Sequence, residues 1–403
     1  MLTAIGVLLF VGLLLFSVAV HEFGHLLTAK HYGMKATEYF VGFGPTLWSF
    51  HRGETEYGFK AIPAGGYVRI IGMSDTEVIA EEDRPRAFHR FAAHKRQVVL
   101  VAGSVSHMFL AFGLFFIAVV GFGTSQVTTT IASVSPCVPA AGADDCTATD
   151  PVSPGAAAGL KPGDTVLKVG DTPINKWDEA TALIRAHGAG PVALTIRRDG
   201  QTLTVTPDLV ARDRPDPDHP DRTLTNVGVL GVSADTQLVH AGPIAGAKQS
   251  AILMRKVFTG SFHALFTIPS KIPNLVDSLH GGTRDKQGLV GVVGAARISG
   301  ETLNVHTVSV AERVGAIFVI IGGLNIFIGL FNVLPLPPLD GGHMAVVGYE
   351  SLRRRRSRRL GLPDPGRIPT AKLIPATYAF LVLAGCLTVL LIAADIVNPV
   401  TLN

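Results

Sequence analysis

Apolar residues gather along this chain into four long runs: Leu2–Val20, Val98–Phe122, Val314–Leu334 and Leu373–Val397. Each is long enough to cross about 30 Å of hydrocarbon as a helix. The pattern predicts a polytopic α-helical membrane protein with four transmembrane helices. Between the first two runs, Thr55–Ile71 carries the strand formers Tyr57, Phe59, Ile62, Tyr67, Val68 and Ile70, broken by Pro63-Ala64-Gly65-Gly66. That composition predicts a β-hairpin reversing at Pro63–Gly66. Between the second and third runs the period changes to that of a small α+β domain. A strand at Thr165–Val169 precedes a helix with Trp177 and Ile184, then strands at Val192–Arg197 and Thr202–Pro207. Arg212–Thr223, rich in Asp and Pro, reads as an extended linker. Ala245–Leu279 is too polar to span and reads as an amphipathic helix at the outer surface.

Composition agrees with that class. Of 403 residues, 47% are hydrophobic and only 16% charged, outside the usual range for a soluble domain. The first run has no basic n-region, which argues against a cleaved signal peptide. The net charge of +4 invites a nucleic-acid reading, but the basic residues flank the apolar runs. Ten Lys or Arg fall in Thr28–Gln97 and eight between the third and fourth runs, including Arg353-Arg354-Arg355-Arg356 and Arg358-Arg359. By the positive-inside rule both basic segments are cytoplasmic and Gly123–Glu312 is outside. The partners expected are therefore the lipid bilayer and other membrane proteins, with no nucleic acid. Cys137 and Cys146 lie in the outside segment, where a disulfide is favoured and a free thiol pair is the alternative.

At the end of the first run stands His21-Glu22-Phe23-Gly24-His25. On a helix His21 and His25 project from one face and together bind a zinc ion, leaving Glu22 beside them as the base that takes a proton from water. A helix beginning near Leu2 reaches His21 after about 27 Å. A third ligand must come from the same depth. The third run is parallel to the first and ends in Asn332-Val333-Leu334-Pro335-Leu336-Pro337-Pro338-Leu339-Asp340-Gly341-Gly342-His343, which carries Asp340 to that level. Two histidines, one aspartate and a water complete a catalytic zinc site. The bland alternative makes Asp340 a helix cap, with the glycines supplying flexible φ. Rival functions are a non-catalytic membrane adaptor with structural zinc, which has no use for Glu22, and a metal transporter, for which one ionisable cluster is too few.

These motifs resemble the site-2 protease family of intramembrane zinc metalloproteases, in the regulator of sigma-E protease type with the single-PDZ actinobacterial architecture. Val41–Pro45 and Lys60–Val68 resemble the family's membrane-associated β-hairpin, here on the cytoplasmic side, and Gly288–Ala295 its approach to the third span. Ser153–Asp164, with Gly159, Leu160, Lys161, Pro162, Gly163 and Asp164 as the loop, resembles a bacterial extracytoplasmic PDZ domain over about Ile131–Pro207. The resemblance implies Zn²⁺ as cofactor, His21, His25 and Asp340 as its ligands and Glu22 as general base. Gly65, Gly66, Tyr67 and Asn332 are the candidate substrate contacts. The implied substrates are single-pass membrane proteins, namely anti-sigma factors after a first cut and remnant signal peptides, with an extracytoplasmic peptide at the PDZ domain. The implied location is the bacterial inner membrane, with the active site near its cytoplasmic face. The expected organisation is 1–30 first span, 31–97 hairpin loop, 98–122 second span, 131–207 PDZ, 208–244 linker and short strand, 245–312 amphipathic helix and loop, 313–334 third span, 335–372 aspartate motif and basic loop, and 373–397 fourth span. One departure is plain. The family's Ala-Gly-Pro-x-x-Asn turn opening the second span reads Ala102-Gly103-Ser104-Val105-Ser106-His107 here.

Overall fold

The computed structural model describes all residues except 1, 74–76, 140–145, 148–149, 216–222, 283, 285–287, 306–307, 370–372 and 401–403. Four helices are long and apolar enough to cross a membrane, at Leu2–His31, Ala93–Phe122, Val310–Val333 and Ile374–Val397. Together with the β-sheets they make this a membrane protein of mixed architecture. The chain divides into two compact units, one of Met1–Gly123 with His240–Asn403 and one of Thr124–Val239.

The first unit opens with α1 (Leu2–His31), then β1 (Ala36–Arg52) and β2 (Thr55–Ile70), then α2 (Ala93–Phe116), whose last turns widen into π geometry at Ile117–Phe122. The β-hairpin differs from expectation. Its reversal lies at Gly53-Glu54, and Pro63–Gly66 falls inside β2. The hairpin then folds over on itself, so that Glu38–Val41 meet both Gly66–Arg69 and Glu56–Phe59. The fold line is marked by positive φ at Gly42 (96°), Gly44 (81°) and Gly65 (136°), conformations that cost a residue with a Cβ. Pro63-Ala64-Gly65-Gly66 was a sound bend signal, but the bend is lateral rather than a chain reversal.

In the second unit come β3 (Thr124–Val134), α3 (Pro154–Ala157), β4 (Thr165–Val169), β5 (Thr172–Pro173), α4 (Trp177–His187), β6 (Gly190–Pro191), β7 (Leu194–Arg198), β8 (Gln201–Val205), β9 (Asp208–Pro215), β10 (Thr223–Val229) and β11 (Val232–Val239). One sheet runs β11-β3-β4-β7-β8, with β5 beside β4, and a second runs β10-β9-β6. The expected linker and short strand at 208–244 are thus corrected over the described residues. Three strands occupy that stretch, and Leu209 and Leu230 join Ile131, Val166, Leu194 and Ile196 in the core. Dense Asp, Arg and Pro hid a strand that needs only a few inward-facing apolar residues. The linker reading of 216–222 lies outside the described residues. Cys137 and Cys146 are joined by a disulfide. The expected Gly159–Asp164 loop is a turn before β4, closed by Asp164, whose carboxylate accepts Arg198 Nε (2.7 Å), Arg198 Nη2 (2.6 Å) and the Lys161 amide (2.8 Å).

The first unit resumes with α5 (Pro243–Leu279), α6 (Val292–Thr302), α7 (Val310–Val333), α8 (Asp340–Arg359) and α9 (Ile374–Val397). The amphipathic segment is one helix, α5, whose Leu253, Met254 and Val257 pack on Ala111, Phe115 and Ile326 of α2 and α7. The expected basic loop after Asp340 is corrected to a helix, α8, along which the arginines are strung. Arginine is a good helix former, and a run of it only looks like a loop. Within α9 the buried residues are Ala394 and Asp395. The Asp395 carboxylate accepts from Arg284 Nη2 at 2.9 Å and from the Gly294 amide at 2.8 Å, tying the end of α9 to the start of α6.

The Arg198 guanidinium beside Asp164 holds its carboxyl below the usual carboxylate range. Such a group stabilises the fold fully above its unfolded value of about 3.9 and ceases to do so as pH falls through its lower folded value. Hydrogen-exchange protection of β4 and β7 in the intact, detergent-solubilised protein should therefore be level from pH 7 to 5 and decline below about pH 4. Asp164→Asn should cost the second unit about 1.5–3 kcal/mol at pH 7. Unchanged protection in the variant would count against this pair as a stabilising contact.

Candidate metal centre

His21 and His25 fall on one face of α1 because they are four residues apart. Both are buried, 9% and 8% exposed. Asp340 is the first residue of α8, directly after the turn that ends α7. Three ligand atoms converge there. His21 Nε2 and His25 Nε2 are 3.2 Å apart, and Asp340 Oδ2 is 3.4 Å from the first and 3.3 Å from the second. Bonds of about 2.0–2.1 Å at tetrahedral angles place zinc ligand atoms about 3.3 Å from one another. Asp340 Oδ2 is otherwise buried without a hydrogen-bond partner. Two imidazole nitrogens and a carboxylate oxygen are the donor set zinc prefers. Among the described residues this is the cluster able to hold a metal ion.

Backbone packing sets this spacing. His25 Nδ1 donates to the Val99 carbonyl of α2 at 2.7 Å, which leaves Nε2 free to face Asp340 and fixes the ring as metal-binding histidines require. One turn along α2, Gly103 lies against both imidazoles, and a Cβ there would collide with His25 Nε2 and with His21 Cε1 and Nδ1. Gly24 lies as closely against the Ala102 carbonyl and Ser106 Oγ, so the two helices approach closely, as small residues allow in membranes. At α8, a Cβ on Gly341 would strike the Val333 and Leu334 carbonyls, and one on Gly342 the Leu336 carbonyl. The two glycines therefore serve close approach, and neither has positive φ. Helix α8 is clamped to α2 by Gln97 Nε2 donating to the Met344 carbonyl (2.7 Å) and by the buried ion pair Arg96–Glu350 (3.1 Å).

Glu22 is half-buried, with Gly66 of β2 against it. A Cβ on Gly66 would lie 3.0 Å from Glu22 Cγ and from Val18 Cγ1. The hairpin is held to α1 by Tyr39 Oη donating to the Ala19 carbonyl at 2.8 Å. Of the expected substrate contacts, Gly66 is thus brought to Glu22. Gly65 lies on the fold line against Phe43. Tyr67 donates its hydroxyl to Glu38 Oε2 at 2.7 Å and stacks on Phe40 and Phe43. Burial, together with that carboxylate, pushes the phenol up to about 12, so it stays protonated. Asn332 is half-buried near the end of α7. Ala102–His107 is corrected from a turn to the middle of α2.

Sequence reasoning met Gly103 and His107 only as parts of the altered Ala102–His107 motif, without a role, and passed over Val99, Ser17 and Asn325. A signal was present in the spacing Val99-Gly103-His107, which puts a carbonyl, a gap and an imidazole on successive turns of one face.

Residues 9–361 match Peptidase family M50. Two relatives are similar over the full length of both chains: the zinc metalloprotease Rip1 of Mycobacterium bovis, 37% identical, and Rip1 of Mycolicibacterium smegmatis, 36% identical. The metalloprotease MmpA of Caulobacter vibrioides is 28% identical over 85% of each chain. The chain belongs to Peptidase family M50, the site-2 proteases. It is a membrane-embedded zinc metalloprotease, with Zn²⁺ as its cofactor, in a family of intramembrane proteases.

Because no side chain separates α2 from the imidazoles, Gly103→Ala should lower the zinc content of purified protein about tenfold or more, from overpacking strain of ~1–3 kcal/mol. Metal analysis beside a circular dichroism spectrum checks this, and full zinc occupancy in a folded variant would refute it.

Proposed function

We propose that His21, His25 and Asp340 hold the zinc ion of this protease and that Glu22 is its general base. The reaction would be hydrolysis of a peptide bond within or near a transmembrane segment of another membrane protein. One observation supports this above others: three donor atoms, from segments some three hundred residues apart, converge at tetrahedral spacing with a carboxylate on the adjoining residue. When bound, Zn²⁺ supplies the Lewis acidity that lets water lose a proton near neutral pH and that polarises a carbonyl. Glu22 accepts the proton of the attacking water and returns it to the departing amine. Glu22 and Asp340 bring two negative charges to balance one divalent cation, which lowers the cost of the set in a low-dielectric site.

A helix in the bilayer has already satisfied its own backbone groups, so the substrate must be unwound before cleavage. The Gly66–Arg69 segment of β2 beside Glu22 favours capture of the unwound stretch by strand addition. Gly66 leaves room for it, and Gly65, Tyr67 and Asn332 are assigned to its border. The basic segments favour an active site near the cytoplasmic face of a bacterial inner membrane. Anti-sigma factors shortened by a first cut, and remnant signal peptides, are the substrates that the family resemblance favours, in regulated intramembrane proteolysis.

We read the second unit as an extracytoplasmic PDZ domain longer than the 131–207 core. In support, β11 is the edge strand of its main sheet, and a cleft of about 460 Å³ lies between Trp177, Thr181 and Ile184 of α4 and Val227–Val232. A peptide added along such an edge would seat its end in that cleft. Gly159–Asp164 does not line it and acts as the turn that frames β4.

Glu22→Gln should retain zinc while lowering cleavage of a transmembrane reporter by about 10²–10⁴-fold. Mass spectrometry of membranes bearing the variant should show shortened single-pass fragments accumulating. Cleavage at the wild-type rate would end the case for Glu22 as the base.

A further inference from the structure

The described polar groups beside the metal centre include a chain that the hydrolytic scheme does not use. Ser17, His107 and Asn325 are 1%, 2% and 0% exposed and belong to α1, α2 and α7. Ser17 Oγ donates to the Leu13 carbonyl at 2.8 Å. Asn325 Nδ2 donates to Ser17 Oγ at 2.9 Å and to the Ile321 carbonyl at 2.8 Å. Both amide protons are then committed, and the reverse amide orientation would set oxygen against the Ile321 oxygen. Asn325 Oδ1 therefore faces His107 Nδ1, 2.7 Å away, and accepts its proton. A neutral imidazole with Nδ1–H carries a lone pair on Nε2. Asn325 thus fixes the His107 tautomer, with Nε2 as an acceptor.

The group that lacks an acceptor is next to it. His25 spends Nδ1–H on Val99, but His21 Nδ1 is buried with no hydrogen-bond partner. Histidines that bind metal through one nitrogen nearly always donate the other N–H to an oriented partner. The His107 ring centre is 4.8 Å from that of His21, with the planes tilted by 36°. The close approach of Gly329 to the His107 Cβ backs the ring from α7.

We propose that His107 is the positioning residue of His21: its Nε2 accepts the His21 Nδ1–H, directly or through one water molecule, so that Ser17, Asn325 and His107 orient His21 from the membrane interior. This rests on the reading of His21 as a metal ligand. It also gives a role to the residue at which this chain departs from its family's pattern. His107 acts on the ligand, and no contact with substrate is required of it.

The test uses the full-length protein in detergent, with zinc affinity read by competition with a chromogenic chelator. Visible absorption of the cobalt-substituted protein reports the ligand field. His107→Leu should weaken zinc by about 10–100-fold and shift the cobalt bands. Gln and Asn then divide the side chain in two. His107→Gln places its amide where Nε2 was and should recover most of the zinc affinity. His107→Asn places its amide where Nδ1 was, keeps the partner of Asn325, and should not. If the Leu variant fails to fold, the Gln and Asn pair decides alone. Equal zinc affinity in the Gln and Asn variants would overturn the proposal, as would turnover lost with zinc affinity and cobalt bands unchanged, since His107 would then act on substrate. His21→Ala separates the two readings. If it keeps wild-type zinc affinity, the ligand assignment itself falls. If it loses zinc while the His107 series stays flat, only the positioning role falls.

Discussion

A divalent cation and its donors are costly at membrane depth unless charge is matched and every lone pair is used, and much of the first unit is arranged around that constraint. Asp340 must arrive beside two histidines more than three hundred residues away. The turn after α7 delivers it, and Gly341 and Gly342 let α8 begin almost in contact with the carbonyls of that turn. Arg96–Glu350 and Gln97–Met344 then hold α8 against the same helix that carries Val99 and Gly103. The contacts that clamp Asp340 and those that orient His25 therefore share one element, α2.

The folded hairpin answers a different demand. A hydrolytic site needs its base close to an accessible backbone edge, and β2 passes over Glu22 at a glycine. The fold line at Gly42 and Gly44 of β1 and Gly65 of β2 lets a hairpin of two long strands bend back. One end stays tied to α1 through Tyr39, and the tip presents Trp48, Phe50 and Phe59 as an exposed aromatic group. Aromatic side chains of this kind are at home at the level of lipid headgroups.

Much of the frame was legible in the chain because membrane spans and metal motifs leave strong periodic or compositional marks. The four runs fall on the four helices long and apolar enough to cross a membrane, and span parity carried Asp340 to His21 without knowledge of any contact. What escaped was decided by packing. The arginines after Asp340 look like loop but form α8, since charge says little about backbone state. Leu209 and Leu230 lie in a stretch whose Asp and Pro content masks three strands. Ala102–His107, read as a turn by analogy, lies in mid-helix. The Gly103 contact and the Ser17–Asn325–His107 chain depend on which faces of three helices meet, and no single segment encodes that.

The lack of a Cβ at Gly24 of α1 and at Gly103 of α2 has a mechanical consequence. Where ligands hang from long, soft side chains, a cage can relax as its scaffold breathes. Here both imidazoles hang from α1 and lie directly against the backbone of α2 at Gly103, so the distance between those two helices limits how the rings can turn. Changes in bilayer thickness or lateral pressure that part α1 from α2 would free the imidazoles to turn, so the membrane itself belongs to the scaffold of the active site.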